Sequence, residues 1–464
     1  MMTLLGSSLL AATQAARAQQ LSSDTSSAPL AIVRVTVIDP ATASVRPEQT
    51  VVIDRGRIVA VDNFSTARVP PNARVVNAHG KFLIPGLWDM HVHWWHQEDL
   101  ALTLANGVTG ARVMWGDTAH HSWRRAIEAG RMLGPRQIIG SVIFDGPQPY
   151  WPGSVALGTA DEARAAVQRA HAEGSDFIKV YSRLPRDVFF AIADEARRLG
   201  LPFAGHVPSA VTVAEVSNAG QRTIEHLTRI PFAVSSRETA LRSMPTSAAP
   251  DRIGVVGVEA VRSFDEQKAT ALFELFLRND TWQSPTLTAP RWRAYGNDPE
   301  FTNDARLKYV AKWLRDSWVE APGLRGWTDE TFDRQREIFA GSLRLVAAMH
   351  RAGVGLLAGT DIGNPYLYPG FSLHDELQLF VQAGLTPMEA LQTATSNAAR
   401  FLGKEADFGV SVGRIADLVL LEGDPLQEIR NTQKIAAVIF GGRLLHRQQL
   451  DEILAAQERW ARLP

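Results

Sequence analysis

Cysteine is absent from the 464 residues. Its absence excludes disulfide scaffolds, thiolate metal sites and cysteine nucleophiles, and leaves His, Asp, Glu or Lys for any metal or catalytic work. Neither sign of charge is in excess, since 48 Lys and Arg stand against 49 Asp and Glu. Without a broad positive field, nucleic acid and anionic membrane surfaces are not expected partners, and a small-molecule substrate is. No run approaches about 18 consecutive apolar residues, so no membrane span is expected. What the chain does have is 45% hydrophobic residues, 35 Gly and 25 Pro. At roughly 150 residues per domain the length suits three domains, or one α/β barrel of about 200–250 residues or more with a smaller unit beside it.

The first residues, Met1 to Ala12, are short and apolar, and Ala16-Arg17-Ala18 follows. An apolar stretch ahead of an A-x-A pattern is the form of a secretory signal, so residues 1–18 are expected to be a signal peptide and the mature protein to be exported, into a periplasm or beyond. Residues 19–29 are Ser-rich and read as a linker. Short β-branched runs with hairpin punctuation follow, as in Ala31 to Ile38, Val51-Val52-Ile53 and Ile58 to Val61. Comparable runs return only near the far end, in Ile415 to Leu421 and Ala436 to Phe440. Residues 30–84 and 406–448 are therefore expected to join in one small β-sandwich. Between them, in residues 85–405, apolar strand candidates alternate with helical stretches, Asp161–Ala172 with an Asp cap among them. Eight strands can be counted from Leu87–His93 to Val354–Asp361, the pattern of an α/β (β/α)8 barrel. Residues 449–464 read as a C-terminal helix.

In such a barrel, chemistry gathers at the C-terminal ends of the strands. His91 and His93 close the first candidate strand, and two residues apart on a strand they can aim at one ion. His206 closes Phe203-Ala204-Gly205 and His226 closes Thr223-Ile224-Glu225. Taken singly, each of these could be a satisfied core imidazole. Asp361 ends six apolar or small residues, and an unpaired buried carboxylate is costly without a partner. Lys179 stands in mid-strand in Phe177-Ile178-Lys179-Val180, where an ammonium needs an ion pair, for which Asp361 is a candidate, or another role. Several strand ends each offering a ligand-type residue carry more weight together than any one of them alone.

With Pro85-Gly86-Leu87-Trp88-Asp89-Met90-His91-Val92-His93, Lys179, Gly205-His206, Glu225-His226-Leu227, Ala358-Gly359-Thr360-Asp361 and Gly413-Arg414-Ile415-Ala416-Asp417-Leu418-Val419 in this order, the chain resembles the amidohydrolase superfamily. The likeness is to its imidazolonepropionase-like and metal-dependent prolidase-like branch. The resemblance implies that His91, His93 and Asp361 hold one divalent metal and His206 and His226 a second. It also implies that Lys179, carboxylated by CO2, bridges the two. Zinc is the default ion, although imidazole and carboxylate ligands also suit manganese or cobalt. Lys179 favours two-metal members over mononuclear, deaminase-like ones. The implied chemistry is attack of a metal-bridged hydroxide on an sp2 carbonyl, with Asp361 taking the proton and passing it to the leaving group.

Around this set, Trp94, Trp95 and His96 could line the mouth or simply pack the loop. Tyr181, two residues past Lys179, could stabilise an oxyanion. Arg112 could meet a substrate carboxylate or form a strand-end ion pair. Tyr366 lies in the loop after Asp361, a candidate specificity element. The long, Trp-rich stretch 230–341 could hold a lid or an oligomer contact, so a homo-oligomer is one reading. Two departures from prolidase-like relatives stand out: Val207-Pro208-Ser209 rather than a Tyr after His206, and Arg112-Val113 rather than Arg-Asp. The expected function is an exported two-metal hydrolase of an amide or peptide-like C–N bond, in a dipeptide or an N-acyl amino acid. A lactone or ester hydrolase and a catalytically silent metal- or ligand-binding periplasmic protein are the alternatives.

Overall fold

Alternating apolar residues from Leu30 onward build a sheet that both ends of the chain share. The computed structural model describes residues 28–243, 250–319 and 326–463, so the expected signal peptide and most of the linker lie outside the described residues. In chain order the strands begin with β1 (Leu30–Asp39), β2 (Ser44–Asp54), β3 (Arg57–Asn63), β4 (Arg74–Asn77) and β5 (Phe82–Pro85). Next come β6 (Leu87–Val92), β7 (Val108–Val113), β8 (Arg136–Ile139), β9 (Phe144–Asp145) and β10 (Val155–Ala156). They continue with β11 (Ile178–Val180), β12 (Phe203–Gly205), β13 (Thr223–Glu225) and β14 (Trp282–Ser284). The last three are β15 (Leu418–Leu421), β16 (Ile435–Phe440) and β17 (Arg443–His446).

The shared sheet has eight strands in the order β17-β16-β15-β5-β1-β2-β3, with β4 beside β1. Its seam between the two chain ends is the antiparallel pair β5/β15, which sets Leu418 opposite Pro85 and Leu421 opposite Phe82. Ile32, Val35, Val37, Val51 and Ile53 from one end pack with Ala416, Leu418, Leu420 and Ile439 from the other. The strands of the expected terminal unit are joined by hydrogen bonds into one sheet. The reason is that β5 bonds to β1 on one side and β15 on the other, and so merges the two sets.

The remaining strands are all parallel and alternate with helices, an α/β arrangement of TIM-barrel type. They form β6-β7-β8 and β10-β9-β11-β12-β13-β14. Local chemistry sets the helices between them. Thr159 and Glu162 form a capping box at Ala160–Ala172, so the cap is Thr159 and not the expected Asp161. Gly200, at φ 66, closes Arg186–Leu199.

The eighth expected strand, Val354 to Asp361, is not a regular ladder. It makes isolated parallel bridges, Leu356 to Gln283 and Ile362 to Val92, while another joins Gly140 to Phe177. Its local geometry is set by two residues. Gly359 lies so close to β6 that a Cβ there would stand 2.8 Å from His91 Cβ, and Asp361 turns into the left-handed region at φ 63. That turn ends the segment and delivers its carboxylate to the neighbouring histidines.

The stretch 230–341 is mostly helical. Glu266–Asn279 takes Asp265 as its N-cap and buries Leu272, Phe273 and Phe276. Further on, Arg306 Nη1 donates to Asp375 at 2.7 Å, and Tyr309 stacks on Phe371 at 5.3 Å. Gln457, in the C-terminal helix Arg447–Ala461, donates to Tyr309 O at 3.1 Å. This part of the stretch is therefore tied to both the helix Phe371–Gln382 and the C-terminal helix.

Candidate metal centre

The site grows from two neighbouring segments. Met90 N donates to Ala358 O at 2.8 Å and Asp361 N to His91 O at 2.8 Å, so the His91–His93 strand and the Asp361 segment lie side by side. Asp89 reinforces the junction, accepting from Thr360 Oγ1 at 2.6 Å and Thr360 N at 3.0 Å. As a result His91, His93 and Asp361 offer ligand atoms that all lie within 4.8 Å of one another. Asp361 Oδ1 is 3.3 Å from His91 Nε2 and 3.2 Å from His93 Nε2, and its Oδ2 is 3.8 Å from His226 Nδ1.

His226 and His206 extend the cluster. The His226 ring is 4.5 Å from that of His91 and 5.0 Å from that of His206. His226 adopts φ 57, and that turn brings its ring to His91 and His206 even though Glu225, one residue earlier, also reaches His91. His206 follows Gly205, which is required at φ 138: a Cβ there would stand 2.1 Å from Val180 O.

Three of the four imidazoles are held by one nitrogen. His91 Nδ1 donates to Glu225 Oε2 at 2.8 Å. His206 Nδ1 is 2.8 Å from Ser182 Oγ, and His226 Nδ1 is 2.6 Å from Thr286 Oγ1. The Thr286 hydroxyl itself donates to Pro285 O at 2.8 Å, so it accepts from His226 and leaves Nε2 of that ring with a lone pair. Nε2 of His91 and of His206 are buried without a hydrogen-bond partner, a costly state unless a cation takes them. This is the arrangement in which partners behind a histidine fix its tautomer and present the other nitrogen to a metal.

Electrostatics agree with that chemistry. Burial lowers His93 to about 4 and His226 to about 3, despite the pull of Asp361, and holds His206 well below its ordinary value. Burial would raise the Asp361 carboxyl, but the imidazoles of His226, His91 and His93 hold it well below the carboxylate range. Neutral imidazoles around an ionised carboxylate are a donor set for a divalent cation. Lys179 is buried, and burial lowers it to about 8 against the opposing pull of Glu225 and Asp361. The suggested ion pair with Asp361 is not formed, and among the described residues no carboxylate lies within ion-pair reach of the ammonium. The Tyr181 ring stacks on His206 at 3.9 Å, and its hydroxyl accepts from Trp151 Nε1 at 2.8 Å.

Several flanking residues point elsewhere. Arg112 is buried and faces inward. Its Nε donates to Met90 O at 2.7 Å, Nη1 to Thr223 Oγ1 at 2.9 Å and Nη2 to Glu225 Oε1 at 2.9 Å, which makes it a structural cation and not a substrate contact. Trp94 is buried in an apolar cluster with Leu100 and Ile127, away from the mouth. His96 packs between Trp313 and Trp460, at 5.4 Å and 5.5 Å. Tyr366 packs against Phe301 and Trp318, at 5.5 Å and 5.4 Å. Trp95 alone of the Trp94-Trp95-His96 run stays at the opening, 48% exposed and stacked on His93 at 6.2 Å.

The supporting residues Glu225, Asp89, Ser182, Thr286 and Asn364, whose Nδ2 donates to Asp361 Oδ2 at 2.8 Å, had no assigned role in the sequence reading. Glu225 and Asp89 carried a usable signal, because each is a carboxylate inside an otherwise apolar strand. Burial pushes the Glu225 carboxyl up, but Arg112 and His91 outweigh it and hold it far below the usual range.

Comparison with known proteins bears on this geometry. The model of the amidohydrolase family matches residues 330–445. The chain superposes on a bottromycin amidohydrolase with a TM-score of 0.79 at 26% identity, covering 97% of this chain and 93% of that one. It is 24% identical over 429 residues to an ochratoxinase of Aspergillus niger, spanning 78% of this chain and 75% of the relative. It is also 23% identical over 413 residues to an imidazolonepropionase of Symbiobacterium thermophilum, spanning 82% and 85%.

Proposed function

We propose, from the premise that the chain belongs to the amidohydrolase superfamily, that it is an exported two-metal hydrolase of an amide or peptide-like C–N bond in a dipeptide or an N-acyl amino acid. One observation carries the reading: His91, His206 and His226 are each tethered through Nδ1, and Nε2 of His91 and of His206 is buried without a hydrogen-bond partner near the ionised Asp361. In this reading His91, His93 and Asp361 hold one divalent ion, zinc by default, and His206 and His226 the other. Lys179, as its CO2-derived carbamate, would supply an anionic ligand shared by both ions, within a (β/α)8 barrel frame. The ions, when bound, supply Lewis acidity that activates water and polarises the carbonyl.

The chain's own residues do the rest. Glu225 keeps the Nδ1 proton on His91 and so holds that ring's tautomer. Asp361, ionised and braced at Oδ2 by Asn364, accepts the proton of the attacking water and returns it to the leaving nitrogen. Lys179, brought by burial to about 8, has a neutral amine within reach near neutral pH, the form that adds CO2. The Tyr181 hydroxyl, held by Trp151, is positioned beside His206 where it can meet developing charge on the substrate oxygen.

The test is elemental analysis of the purified protein and of Lys179→Ala, with product analysis on a panel of dipeptides, N-acyl amino acids, lactones and esters. About two metals per chain, one lost in the variant, and cleavage confined to amides would support the reading. Turnover of lactones alone would replace it with the ester-hydrolase alternative, and absence of bound metal would sink it. N-terminal sequencing of protein recovered outside the cytoplasm tests the proposed cleavage after Ala18.

A further inference from the structure

Large aromatic side chains normally bury themselves, yet at this opening three remain exposed: Trp95 at 48%, Tyr150 at 55% and Trp151 at 43%. They belong to two aromatic arms, one on each half of the candidate metal centre. On one side Trp95 stacks on His93 at 6.2 Å with an interplanar angle of 13°, and meets Trp115 edge-on at 5.6 Å. On the other side Tyr181 stacks on His206, while Tyr150 lies 5.0 Å from Trp151 and 6.2 Å from Tyr181. The two arms approach each other at Gly153, where a Cβ would come within 3.5 Å of the Trp115 ring.

The Tyr150-Trp151 arm is held in place by polar contacts. Asp145 is buried and accepts from Gly146 N at 2.9 Å, Tyr150 N at 2.8 Å and Arg183 N at 2.6 Å, which pins the Tyr150-Trp151 loop to the segment that follows Lys179. Trp151 Nε1 donates to the Tyr181 hydroxyl, and Arg183 stacks on Tyr150 at 5.3 Å while donating to Gln148 O at 2.9 Å. Rings fixed in this way lose little entropy when a flat group stacks on them. The rings themselves are uncharged, and Arg183 beside them is already engaged.

We propose that this aromatic lip selects amides in which one substituent of the scissile C–N bond carries an aromatic or other flat apolar group. The inference rests on the reading of the centre as an amide hydrolase's and names the substrate class of that site. Trp95, Trp115, Tyr150 and Trp151 are then the specificity-determining residues, and the metal-centre residues act on aromatic and aliphatic amides alike.

The test pairs two readouts. Steady-state hydrolysis of N-acetyl-phenylalanyl and N-acetyl-alanyl amides is measured for wild type, Trp95→Leu and Trp151→Leu, with Trp151→Phe as the ring-preserving control. Binding of N-acetyl-phenylalanine and N-acetyl-alanine is followed in parallel by tryptophan fluorescence, which needs no turnover. The expected result is a preference for the phenylalanyl compound, read as the ratio of the two kcat/KM values, that falls roughly fivefold in each leucine variant, the scale of one aromatic contact, whereas Trp151→Phe keeps the ratio even though, like Trp151→Leu, it lowers turnover of both compounds by losing the bond to the Tyr181 hydroxyl. Equal kcat/KM and equal affinity for the two compounds in wild type, or a preference untouched by both leucine variants, would overturn the lip. Selective binding without hydrolysis of any amide would overturn the proposed function and leave the lip standing.

Discussion

Glu225 bridges two buried donors at once: its Oε2 lies 2.8 Å from His91 Nδ1 and its Oε1 2.9 Å from Arg112 Nη2. A carboxylate can only accept, so this contact places the proton on His91 Nδ1 and turns Nε2 toward Asp361. Replacing Glu225 by Gln keeps the volume but sets an amide group against either the imidazole or the guanidinium. Loss of such a partner behind a ligand weakens metal binding about 10–100-fold. Chelator competition on Glu225→Gln should show that loss, and wild-type affinity would refute the role assigned to Glu225.

Arg112 should behave as a structural residue. With Glu225 fully buried, removal of its guanidinium leaves an uncompensated charge, and Arg112→Met is expected to cost about 3–5 kcal/mol of stability. Denaturant unfolding measures this directly. If Arg112 met a substrate carboxylate instead, the variant would unfold like wild type and show a raised KM.

How much of this was readable beforehand depended on whether a residue's chemistry clashed with its surroundings. His91, His93, Lys179 and Asp361 each stand in apolar strand sequence, and the fold draws the two histidines and the aspartate into one cluster. Glu225 stands out as a carboxylate in a buried strand, but its role beside His226 was hidden by alternation, because a strand sends residues 225 and 226 to opposite faces. The φ of 57 at His226 that lets both serve one centre leaves no mark in the sequence. The same limit applies to Trp94, Trp95 and His96, which run consecutively but diverge into core, opening and helix interface. Strand positions were legible from β-branched runs, whereas the merging of the terminal strands into one sheet depended on the long-range pairing of β5 with β15.

A pH dependence of stability follows from Glu376, which bonds to none of the candidate ligands itself. It accepts from Leu287 N and Thr288 N, each at 2.8 Å, and burial raises it from 4.5 to about 8 despite these bonds. Between these values the folded protein keeps a proton that the unfolded chain has released. Its stabilising contribution is therefore complete below pH 4.5 and is lost as the pH rises through 8. Glu376→Gln should flatten the fall in unfolding midpoint between acid and mildly alkaline buffer. Parallel profiles for the two proteins would exclude Glu376 as its source.

Gly205 links strand packing to the second half of the centre. Its φ of 138 and the 2.1 Å that would separate an added Cβ from Val180 O leave no room for a side chain, since the obstacle is backbone and cannot rotate away. Gly205→Ala must therefore push β12 away from β11, and strain of this kind costs at least about 1–3 kcal/mol. The displacement would fall on His206, the next residue, and on its 2.8 Å contact with Ser182, while His91, His93 and Asp361 sit on other segments. On the two-metal proposal, the expected variant is less stable and, where folded, binds an ion at His206 and His226 more weakly than one at His91, His93 and Asp361. Calorimetric unfolding together with stepwise metal titration separates these effects. Weakening of both metals alike would mean that His206 is not displaced independently of the His91–His93–Asp361 cluster, and unchanged stability would mean that β12 tolerates a side chain the geometry forbids.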